Sequence, residues 1–499
     1  MGSGIALVAL YAGCEVYLQD TYPQVLNKAA EYVKKFLEKK DQGSSFKKLH
    51  LVNKLEELAA AQIIIEAAPE QLTLKQELFQ QLDAICPPPA ILASNTSTLS
   101  VTAIAAATQH PERVAGLHFF NPAAVLPLVE VVKAAGSSAE TMASLVALVE
   151  ALGKTPVVTG DTPGFIVNRV ARPYYGEALR LLGEGVASYE QIDQIAEMGG
   201  GFRMGPFRLM DLIGIDVNTA AMQSLYAQTF GEPRYRPHWL QMQKVAEGAL
   251  GRKSGRGFYE YKDEAGGMKH ENSKADIGGG SGRILISEGT WAPGLAELCA
   301  QAGYEIDSVP DAEQHPVACF VAAGRSEEAA RLAAWYDQSL PPEVPLFIQS
   351  SDLTLSEAAI WVQHKQRLIG FDGLFLASGH VATLVSAESA AQDQAETIMV
   401  TLGKSTVWIK ETPGLVLPRI VCQLANEAAF AMGEGVAEAG TIDLAMRLGT
   451  NYPLGPLEWG QTLGWPRVLA VLDHLREETG EARYRAAPWL RRKARMPKA

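Results

Sequence analysis

The chain has 499 residues, of which 47% are hydrophobic and 20% are charged. This composition is typical of a globular protein, and the length suggests three or four domains of about 100–200 residues each. The net charge of −12 argues against a nucleic-acid-binding surface, which is usually basic. No apolar run reaches the roughly 18 residues of a membrane span. We therefore expect neither a nucleic acid nor a membrane as a partner.

The five cysteines show no CxxC spacing, so we expect buried free thiols and no metal site. Free thiols are typical of a reducing compartment, and the start of the chain does not have the pattern of a signal peptide. The expected location is cytoplasmic.

The first 120 residues alternate between predicted helices and predicted strands. These elements are a helix at 4–12, a strand at 15–19, a helix at 23–41, a strand at 63–67, a helix at 72–85, and strands at 90–94 and 114–118. Alternating strands and helices predict parallel βαβ units in a doubly wound sheet.

Strand signals become rare after about residue 140, with the last of them at 157–158, and residues 163–250 read as helical. Residues 263–282 are rich in Gly, Lys and Ser and predict a linker. A second α/β region opens at 283–287 and turns helical after about residue 412. The predicted domains are a Rossmann-like domain at 1–158, a helical domain at 159–262, the linker, a degenerate Rossmann-like domain at 283–405 and a second helical domain at 406–499.

Two stretches of the chain share one pattern at a constant separation of 250 residues. Residues 152–207 and 402–457 both contain Leu-Gly-Lys, Thr-Pro-Gly, Gly-Glu-Gly-Val and Gly-Pro in the same register. A match this long indicates a tandem duplication. The predicted fold is therefore an α/β domain followed by an all-α domain, with the pair present twice.

Gly2 and Gly4 open the first helix, and Asp20 ends the strand that follows it. A glycine turn before a helix, with an acid one strand later, is typical of a dinucleotide-binding site. A simple helix cap followed by a solvated acid would give the same sequence pattern. The second α/β region carries a strand at 284–287 ahead of the matching Gly294, and the first region carries none. We expect that the first strand and the first glycines, roughly ten residues, are missing from this sequence. The alternative is a protein that naturally lacks this strand.

Polar residues follow the predicted strands of the first α/β region. Ser94-Asn95-Thr96-Ser97 follows one strand, while His118 and Asn121 end the next, and Glu130 comes twelve residues after His118. The carboxyl ends of parallel strands form the edge where ligands bind. These residues offer a base, a carboxylate to orient it, and neutral hydrogen-bond donors.

The chain resembles the 3-hydroxyacyl-CoA dehydrogenases, including the bacterial 3-hydroxybutyryl-CoA dehydrogenases. The resemblance is carried by SNTSTLS (94–100), GLHFFNP (116–122), LVEVV (128–132), DTPGFIVNR (161–169), MGPF (204–207) and GRKSGRGFY (251–259). It implies the NAD-dependent oxidation of L-3-hydroxyacyl-CoA to 3-ketoacyl-CoA, or the reverse.

The resemblance also implies roles for individual residues. His118 would be the catalytic base and Glu130 its partner, with Ser97 and Asn168 as supporting polar groups. The implied cofactor-side residues are Gly2, Gly4, Asp20, Glu70, Lys75, Ser97, Asn121 and Lys253. Asp20 would repel a 2′-phosphate, which favours NAD over NADP. Arg169 reads as a helix salt-bridge former and is left out of the site.

The lysine-rich helix at 28–40 could meet the phosphates of coenzyme A or could be a solvated face.

The second copy lacks the chemistry. The alignment of the two copies replaces Ser97 by Leu353, His118 by Asp372 and Asn168 by Pro418. We expect the second copy to be structural and to pack on the first as an intramolecular pseudo-dimer, with a further homo-oligomer left open.

Two other functions fit the same pattern less well. One is a non-catalytic, crystallin-like relative, or a chain that is inactive because its glycine turn is incomplete. The other is a hydroxy-acid dehydrogenase that does not bind coenzyme A. The acyl-chain length, a dicarboxylic preference and the physiological direction are left open.

Overall fold

The computed structural model describes residues 1–261, 276–289, 291–311, 315–386 and 391–496. The chain forms two compact units, which are considered separately below. Unit 1 comprises Met1–Val170 and Ala431–Asn451, and unit 2 comprises Ala171–Phe430 and Tyr452–Ala499.

The strands are numbered in chain order. They are β1 (Val16–Gln19), β2 (Leu49–Val52), β3 (Ile63–Glu66), β4 (Ile91–Ser94), β5 (Val114–Phe119), β6 (Leu128–Lys133), β7 (Thr155–Gly160), β8 (Arg283–Ile286), β9 (Glu305–Asp307), β10 (Ala318–Val321), β11 (Leu346–Gln349), β12 (Leu368–Phe371), β13 (Val381–Val385) and β14 (Ser405–Trp408).

The α-helices are numbered in the same way. They are α1 (Gly2–Tyr11), α2 (Pro23–Glu38), α3 (Leu72–Ile85), α4 (Val101–Ala105), α5 (Ala139–Ala151), α6 (Val167–Val170), α7 (Arg172–Gly183), α8 (Tyr189–Gln194), α9 (Pro206–Ile213), α10 (Ile215–Gln228), α11 (Trp239–Ala246), α12 (Leu295–Gln301), α13 (Glu327–Ser339), α14 (Leu355–Ala358), α15 (Gln392–Thr401), α16 (Leu417–Gly433), α17 (Ala439–Thr450), α18 (Pro456–Leu463), α19 (Trp465–Thr479) and α20 (Pro488–Ala494).

Unit 1 contains a five-stranded sheet with the order β3-β4-β5-β6-β7. Neighbouring strands are parallel except for β5 and β6, which are antiparallel. Adjacent residues of a strand point to opposite faces of the sheet. Leu92 accordingly packs with α3 and α4 on one face, and Ala93 packs with α1 and α5 on the other. Helices on both faces of a mostly parallel sheet make this a doubly wound, Rossmann-like domain.

The strands β1 and β2 form a separate two-stranded parallel sheet in unit 1. In the sheet of unit 2, by contrast, β8 lies between β9 and β10 and bonds to both. No strand among residues 1–261 joins β1 to β3 in that way.

Unit 2 contains a seven-stranded sheet with the order β14-β13-β12-β11-β10-β8-β9, in which only the pair β12 and β13 is antiparallel. Its core is aromatic, with the rings of Phe320 and Phe347 stacked at 4.3 Å between centroids. The helices α7 to α11 occupy the region that the sequence predicts to be helical, and the predicted strands and helices of the first 120 residues are confirmed.

Two strands of unit 1, β2 and β6, were not predicted from local patterns. The predicted linker 263–282 lies partly outside the described residues, and its described part, 276–282, contains neither helix nor strand. Within the described parts of the chain, no helix is long and apolar enough to cross a bilayer.

Candidate active site

His118 and Glu130 face each other across the antiparallel pair of β5 and β6. Their side chains meet between His118 Nδ1 and Glu130 Oε2 at 2.7 Å. His118 is 5% exposed and Glu130 is fully buried. The eleven residues between them include the connection that folds β6 back onto β5, so the sheet register itself brings the imidazole and the carboxylate together.

The second oxygen of Glu130 is also bound. Oε1 accepts the backbone N–H groups of Ile166 and Val167, at 3.1 and 3.0 Å, where α6 begins. An ionised carboxylate only accepts hydrogen bonds, so the hydrogen between the two side chains belongs to His118 Nδ1. That tautomer leaves Nε2 with a free lone pair, which is the state a base requires.

Ser97 and Asn168 also meet in unit 1. Asn168, in α6, donates from Nδ2 to the backbone oxygen of Ser97 at 3.3 Å. Asn95, two residues before Ser97, accepts the backbone N–H of Phe119 with its side-chain oxygen at 2.8 Å. This bond ties the loop after β4 to the end of β5, next to His118. Hydrogen bonds thus join His118 to Glu130 and Asn168 to Ser97, and Glu130 also binds the backbone of Val167, next to Asn168. The catalytic roles of these four residues remain a prediction.

Glu70 fixes the conformation of the loop that carries Ser97. Its Oε1 accepts the backbone N–H groups of Ser97 and Thr98, both at 2.9 Å, and the Thr96 hydroxyl at 2.6 Å. Burial raises the pKa of Glu70, but the Thr96 hydroxyl, the Lys75 charge and the two backbone donors outweigh it and hold that pKa below its usual value. Glu70 is therefore an ionised anchor for this loop at neutral pH.

Lys75 lies in α3 and is only 1% exposed. Its ammonium group contacts Glu66 Oε1 at 2.6 Å and Glu70 Oε2 at 3.4 Å. Glu66, at the end of β3, also accepts the Ser94 hydroxyl at 2.6 Å. Glu66 was not predicted from the sequence, because a glutamate at the end of a short strand carries no distinctive spacing.

The N-terminal elements place the predicted glycine turn beside the sheet. A Cβ atom on Gly2 would lie 4.0 Å from that of Ala67, just past the end of β3, and one on Gly4 would lie 3.4 Å from that of Ala123. Asp20 follows β1 and accepts the backbone N–H of Tyr22 at 2.9 Å. The start of α1 thus lies near the carboxyl end of β3.

The remaining predicted residues have other surroundings. Asn121 is exposed after β5 in unit 1. Lys253 lies in unit 2, where its ammonium group contacts Asp216 Oδ2 at 2.7 Å. Arg169 is buried and donates to Glu434 at 2.7 Å, which confirms the interpretation of this residue as a salt-bridge former. A cofactor role for Asn121 and Lys253 remains a prediction.

The sheet registers correct one part of the alignment between the copies. Ser94 pairs with Gly116 in unit 1, and Ile348 pairs with Gly370 in unit 2. The counterparts are therefore 254 residues apart here, so Ser97 corresponds to Ser351, and the predicted match to Leu353 is wrong. The error arose because a serine of the first copy was matched to a serine of the second copy by residue identity, and not by its position in the strand register.

His118 corresponds to Asp372 in the same register, as predicted. The backbone N–H of Asp372 donates to the backbone oxygen of Thr383. Thr383 has the same position in β13 that Glu130 has in β6. Ser351 donates to Asp372 Oδ1 at 3.4 Å. Burial raises the pKa of Asp372 to about 7, although the backbone donors of Leu374 and Phe375 oppose the shift. The second copy therefore has no imidazole–carboxylate pair at this place.

Comparison with known proteins agrees with this geometry. The NAD-binding domain of 3-hydroxyacyl-CoA dehydrogenase matches residues 1–162, and the C-terminal domain of the same enzymes matches residues 164–261 and again 414–499. The chain belongs to the 3-hydroxyacyl-CoA dehydrogenase family. It is an NAD-dependent oxidoreductase that acts on a CH–OH group.

Several relatives in this family align with nearly all or about half of the chain. The 3-hydroxyadipyl-CoA dehydrogenase of Escherichia coli (strain K12) is 38% identical over 99% of this chain and 95% of its own length. The probable 3-hydroxybutyryl-CoA dehydrogenase of Bacillus subtilis is 42% identical over 53% of this chain and 95% of its own length. The crystal structure of a 3-hydroxybutyryl-CoA dehydrogenase from Escherichia coli K12 superposes with a TM-score of 0.80 at 37% identity, covering 99% of this chain and 96% of that one.

Proposed function

We propose that unit 1 oxidises the C3 hydroxyl of a 3-hydroxyacyl-CoA, or reduces the corresponding ketone, with His118 as the base. The observation that supports this role is the 2.7 Å contact between His118 Nδ1 and the buried Glu130 carboxylate. Hydride leaves C3 only as its hydroxyl loses a proton, and Nε2 of this tautomer can accept that proton. Glu130 then stabilises the imidazolium that forms.

Ser97 and Asn168 act as neutral donors in this proposal. Their mutual contact and the anchoring of the Ser97 loop by Glu70 hold both groups in place before substrate binds. Preorganised donors stabilise the oxyanion character that develops at the C3 oxygen without reorganising during the reaction.

The residues of unit 1 fit NAD. Gly4 and Ile5 donate back to the Met1 carbonyl, whereas Gly2 and Ser3 begin α1 and have no acceptor for their backbone N–H groups within the helix. These two N–H groups are the candidate donors to a pyrophosphate. Oδ2 of Asp20 is the candidate acceptor for a ribose hydroxyl. When bound, NAD⁺ accepts the hydride from C3.

We infer a thioester of coenzyme A as the substrate from the names of the relatives, which act on 3-hydroxyadipyl-CoA and 3-hydroxybutyryl-CoA. Five free cysteines, four of them buried, also support a cytoplasmic location.

We propose that the chain is a tandem duplication with domains at 1–158, 159–262, 283–405 and 406–499, and that its two helical domains form an intramolecular pseudo-dimer. Reciprocal contacts support this arrangement. Arg169 contacts Glu434 inside unit 1, and Arg419 contacts Glu184 inside unit 2 at 2.8 Å. Both members of the second contact differ from those of the first by 250 residues.

The same reciprocity recurs in two further pairs of contacts. Gly160 N donates to Val436 O within unit 1, and Lys410 N donates to Val186 O within unit 2, again 250 residues apart. Within unit 2, Arg236 pairs with Glu481, and Arg485 pairs with Glu232. A self-complementary interface has this property, because residue i meets j on one side and j meets i on the other.

The activity is tested by reducing acetoacetyl-CoA with NADH, comparing the native chain with His118→Ala. We expect the variant to lose about 10²- to 10⁴-fold in kcat, the range for a general acid–base group. A native chain that is folded but inactive would support the crystallin-like alternative. Retained activity in His118→Ala would exclude the proposed role of His118.

The pseudo-dimer is tested by expressing residues 1–262 alone. We expect this fragment to aggregate or to dimerise, because it lacks the segment 431–451 that packs within unit 1. A stable, well-folded monomer in sedimentation analysis would contradict the proposal.

A further inference from the structure

His474 lies in α19 of unit 2, and only 2% of it is exposed. Neither of its ring nitrogens has a hydrogen-bond partner among the described residues. Its Nε2 atom lies 3.7 Å from Oε2 of Glu357, which is too far for a hydrogen bond. Most buried polar groups in folded proteins are hydrogen-bonded, and an exception points to a water molecule or an ion at the unpaired atom.

Two carboxylates converge on this imidazole. Glu357, in α14, and Glu478, in the last turn of α19, each bring an oxygen close to a ring nitrogen of His474. These three atoms all lie within 4.8 Å of one another. His474 and Glu478 are four residues apart in one helix, so they lie on the same helix face. Ionised carboxylates only accept hydrogen bonds, and two of them beside an imidazole lone pair therefore favour a cation.

The charges around this cluster are unbalanced. The charged groups that act on His474 are those of Glu357, Arg325, Glu478 and Glu477. Arg325 contacts Glu477 Oε2 at 2.6 Å and Glu357 Oε1 at 3.2 Å, and its charge offsets one of the three carboxylates. A divalent cation would neutralise the other two.

The carboxylate of Glu357 is held in place by groups of the protein. Glu357 and Thr354 form a capping box at the start of α14, in which Oε2 accepts the backbone N–H of Thr354 at 2.7 Å and its hydroxyl at 2.9 Å. Together with the Arg325 contact, these bonds use three of the roughly four acceptor positions of a carboxylate. One position is left for an ion, and the donors fix the carboxylate as outer partners do in metal centres.

The cluster occurs in the second copy alone. Helix α10 corresponds to α19 at the offset of 250 residues, and it carries Ser224 and Gln228 in place of the histidine and the glutamate. Gln228 donates to the Ser224 hydroxyl at 2.9 Å. At the offset of 254 that the sheet registers give, Ala103 corresponds to Glu357. The first copy thus has neutral groups where the second copy has an imidazole and two carboxylates.

We propose that Glu357, His474 and Glu478 bind a divalent transition-metal ion, with zinc as the representative ion. Zinc binds imidazole nitrogen and carboxylate oxygen at about 2.0–2.2 Å, and three protein ligands with one water molecule complete a tetrahedral site. Two ligand atoms of such a site lie about 3.4 Å apart, close to the 3.7 Å between His474 and Glu357.

The bound ion would join two parts of the second copy. Helix α14 follows β11 of the seven-stranded sheet, and α19 belongs to the second helical region of the chain. An ion that binds the folded chain and not the unfolded chain stabilises the fold. The site uses no thiolate, so the spacing of the cysteines gives no indication of it.

The first test is equilibrium binding to the full chain. The purified chain is stripped of metal, and zinc is titrated in competition with a chromophoric chelator. We expect one tight zinc site, and we expect millimolar Mg²⁺ not to displace the ion, because an imidazole ligand favours zinc. The unfolding temperature should rise with the concentration of free zinc. A chain that binds no zinc with a Kd below about 1 mM would overturn the proposal.

Matched variants assign the binding to this cluster. Glu478 is exposed, so we expect Glu478→Gln to leave the metal-free chain stable, to weaken zinc binding by at least about tenfold and to abolish the rise in unfolding temperature. Glu477→Gln makes the same change of charge at the next residue, whose carboxylate pairs with Arg325. Its zinc affinity should stay within about threefold of the native value, as for an exposed charge. Equal losses in the two variants, or no loss in Glu478→Gln, would show that this cluster does not hold the ion.

Anomalous diffraction from crystals soaked in zinc locates the ion directly. We expect a peak at about 2.0–2.1 Å from a ring nitrogen of His474. Zinc found only elsewhere on the chain would show that the titrated ion is adventitious and would overturn the proposal. None of these measurements depends on dehydrogenase activity, so their failure would leave the proposed function standing.

Discussion

Glu130 is the residue directly opposite His118 in the antiparallel pair of β5 and β6, and its carboxylate contacts the imidazole at 2.7 Å. Neither side chain depends on a mobile loop for its position, since both belong to the sheet. The geometry of this pair leads to the first prediction.

Replacing Glu130 by Gln should lower kcat by about 10²- to 10⁴-fold with a small effect on KM. The amide of glutamine can donate to Nδ1, which would move the imidazole hydrogen to Nε2 and remove the base. Steady-state kinetics with acetoacetyl-CoA and NADH measures the effect. A kcat within threefold of the native value would show that the carboxylate does not set the tautomer of His118.

The buried pair of Lys75 and Glu66 predicts a non-additive effect on stability. Replacing Lys75 by Met leaves the Glu66 carboxylate buried without its cation, and we expect a loss of about 3–5 kcal/mol in the free energy of unfolding. Adding Glu66→Gln to this variant should restore part of the loss. Urea denaturation of both single variants and the double variant gives the coupling energy, and simple additivity would contradict the buried-pair interpretation.

The reciprocal contacts of the two copies predict similar effects for matched variants. The acceptors Glu434 and Glu184 have 49% and 46% of their side chains exposed, so solvent screens both ion pairs. We expect Glu434→Gln and Glu184→Gln each to cost about 0.5–1.5 kcal/mol. The second loss should be the smaller, because Arg419 keeps its bond to Glu177. A loss confined to one variant in urea denaturation would argue against a reciprocal interface.

Asp372 predicts a dependence of stability on pH. Its pKa in the folded protein is about 7, above the ordinary value of 3.8, so the folded state binds the proton more tightly than the unfolded state. Ionisation of Asp372 therefore has no effect on the free energy of unfolding below about pH 3.8. Above that pH it lowers the free energy of unfolding, increasingly as the pH rises toward 7, and the loss reaches its full size above pH 7. We expect Asp372→Asn to stabilise the protein at pH 8 by about 2–4 kcal/mol and to have little effect at pH 4.

Asparagine is a suitable replacement because Ser351, Leu374 and Phe375 all donate to the same oxygen, Oδ1. An amide can keep that acceptor while losing the charge. Urea midpoints at pH 4, 6 and 8 for both proteins provide the measurement. An equal effect of the substitution at all three values would show that Asp372 is not the titrating group.

Hydrophobic periodicity and short motifs were enough to predict most helices and strands of the first 120 residues. The reason is that the pattern of apolar residues along a short segment indicates which face of a strand or helix is buried. They also located His118 and Ser97 at strand ends. The strand β6 was missed, and so was Glu66. Their burial comes from partners 12 to 28 residues away, which local patterns do not report.

Which side chains meet was decided by sheet register and packing. Sheet register made Glu130 the partner of His118. It also made Ser351 the counterpart of Ser97 in the second copy, in place of Leu353. Packing left Nε and Nη1 of Arg172 buried without a hydrogen-bond partner among the described residues, a property that no pattern of one-letter codes conveys. A residue's neighbours in the chain govern its helix or strand preference, whereas the partners of its charge are set by contacts between segments that are distant in sequence.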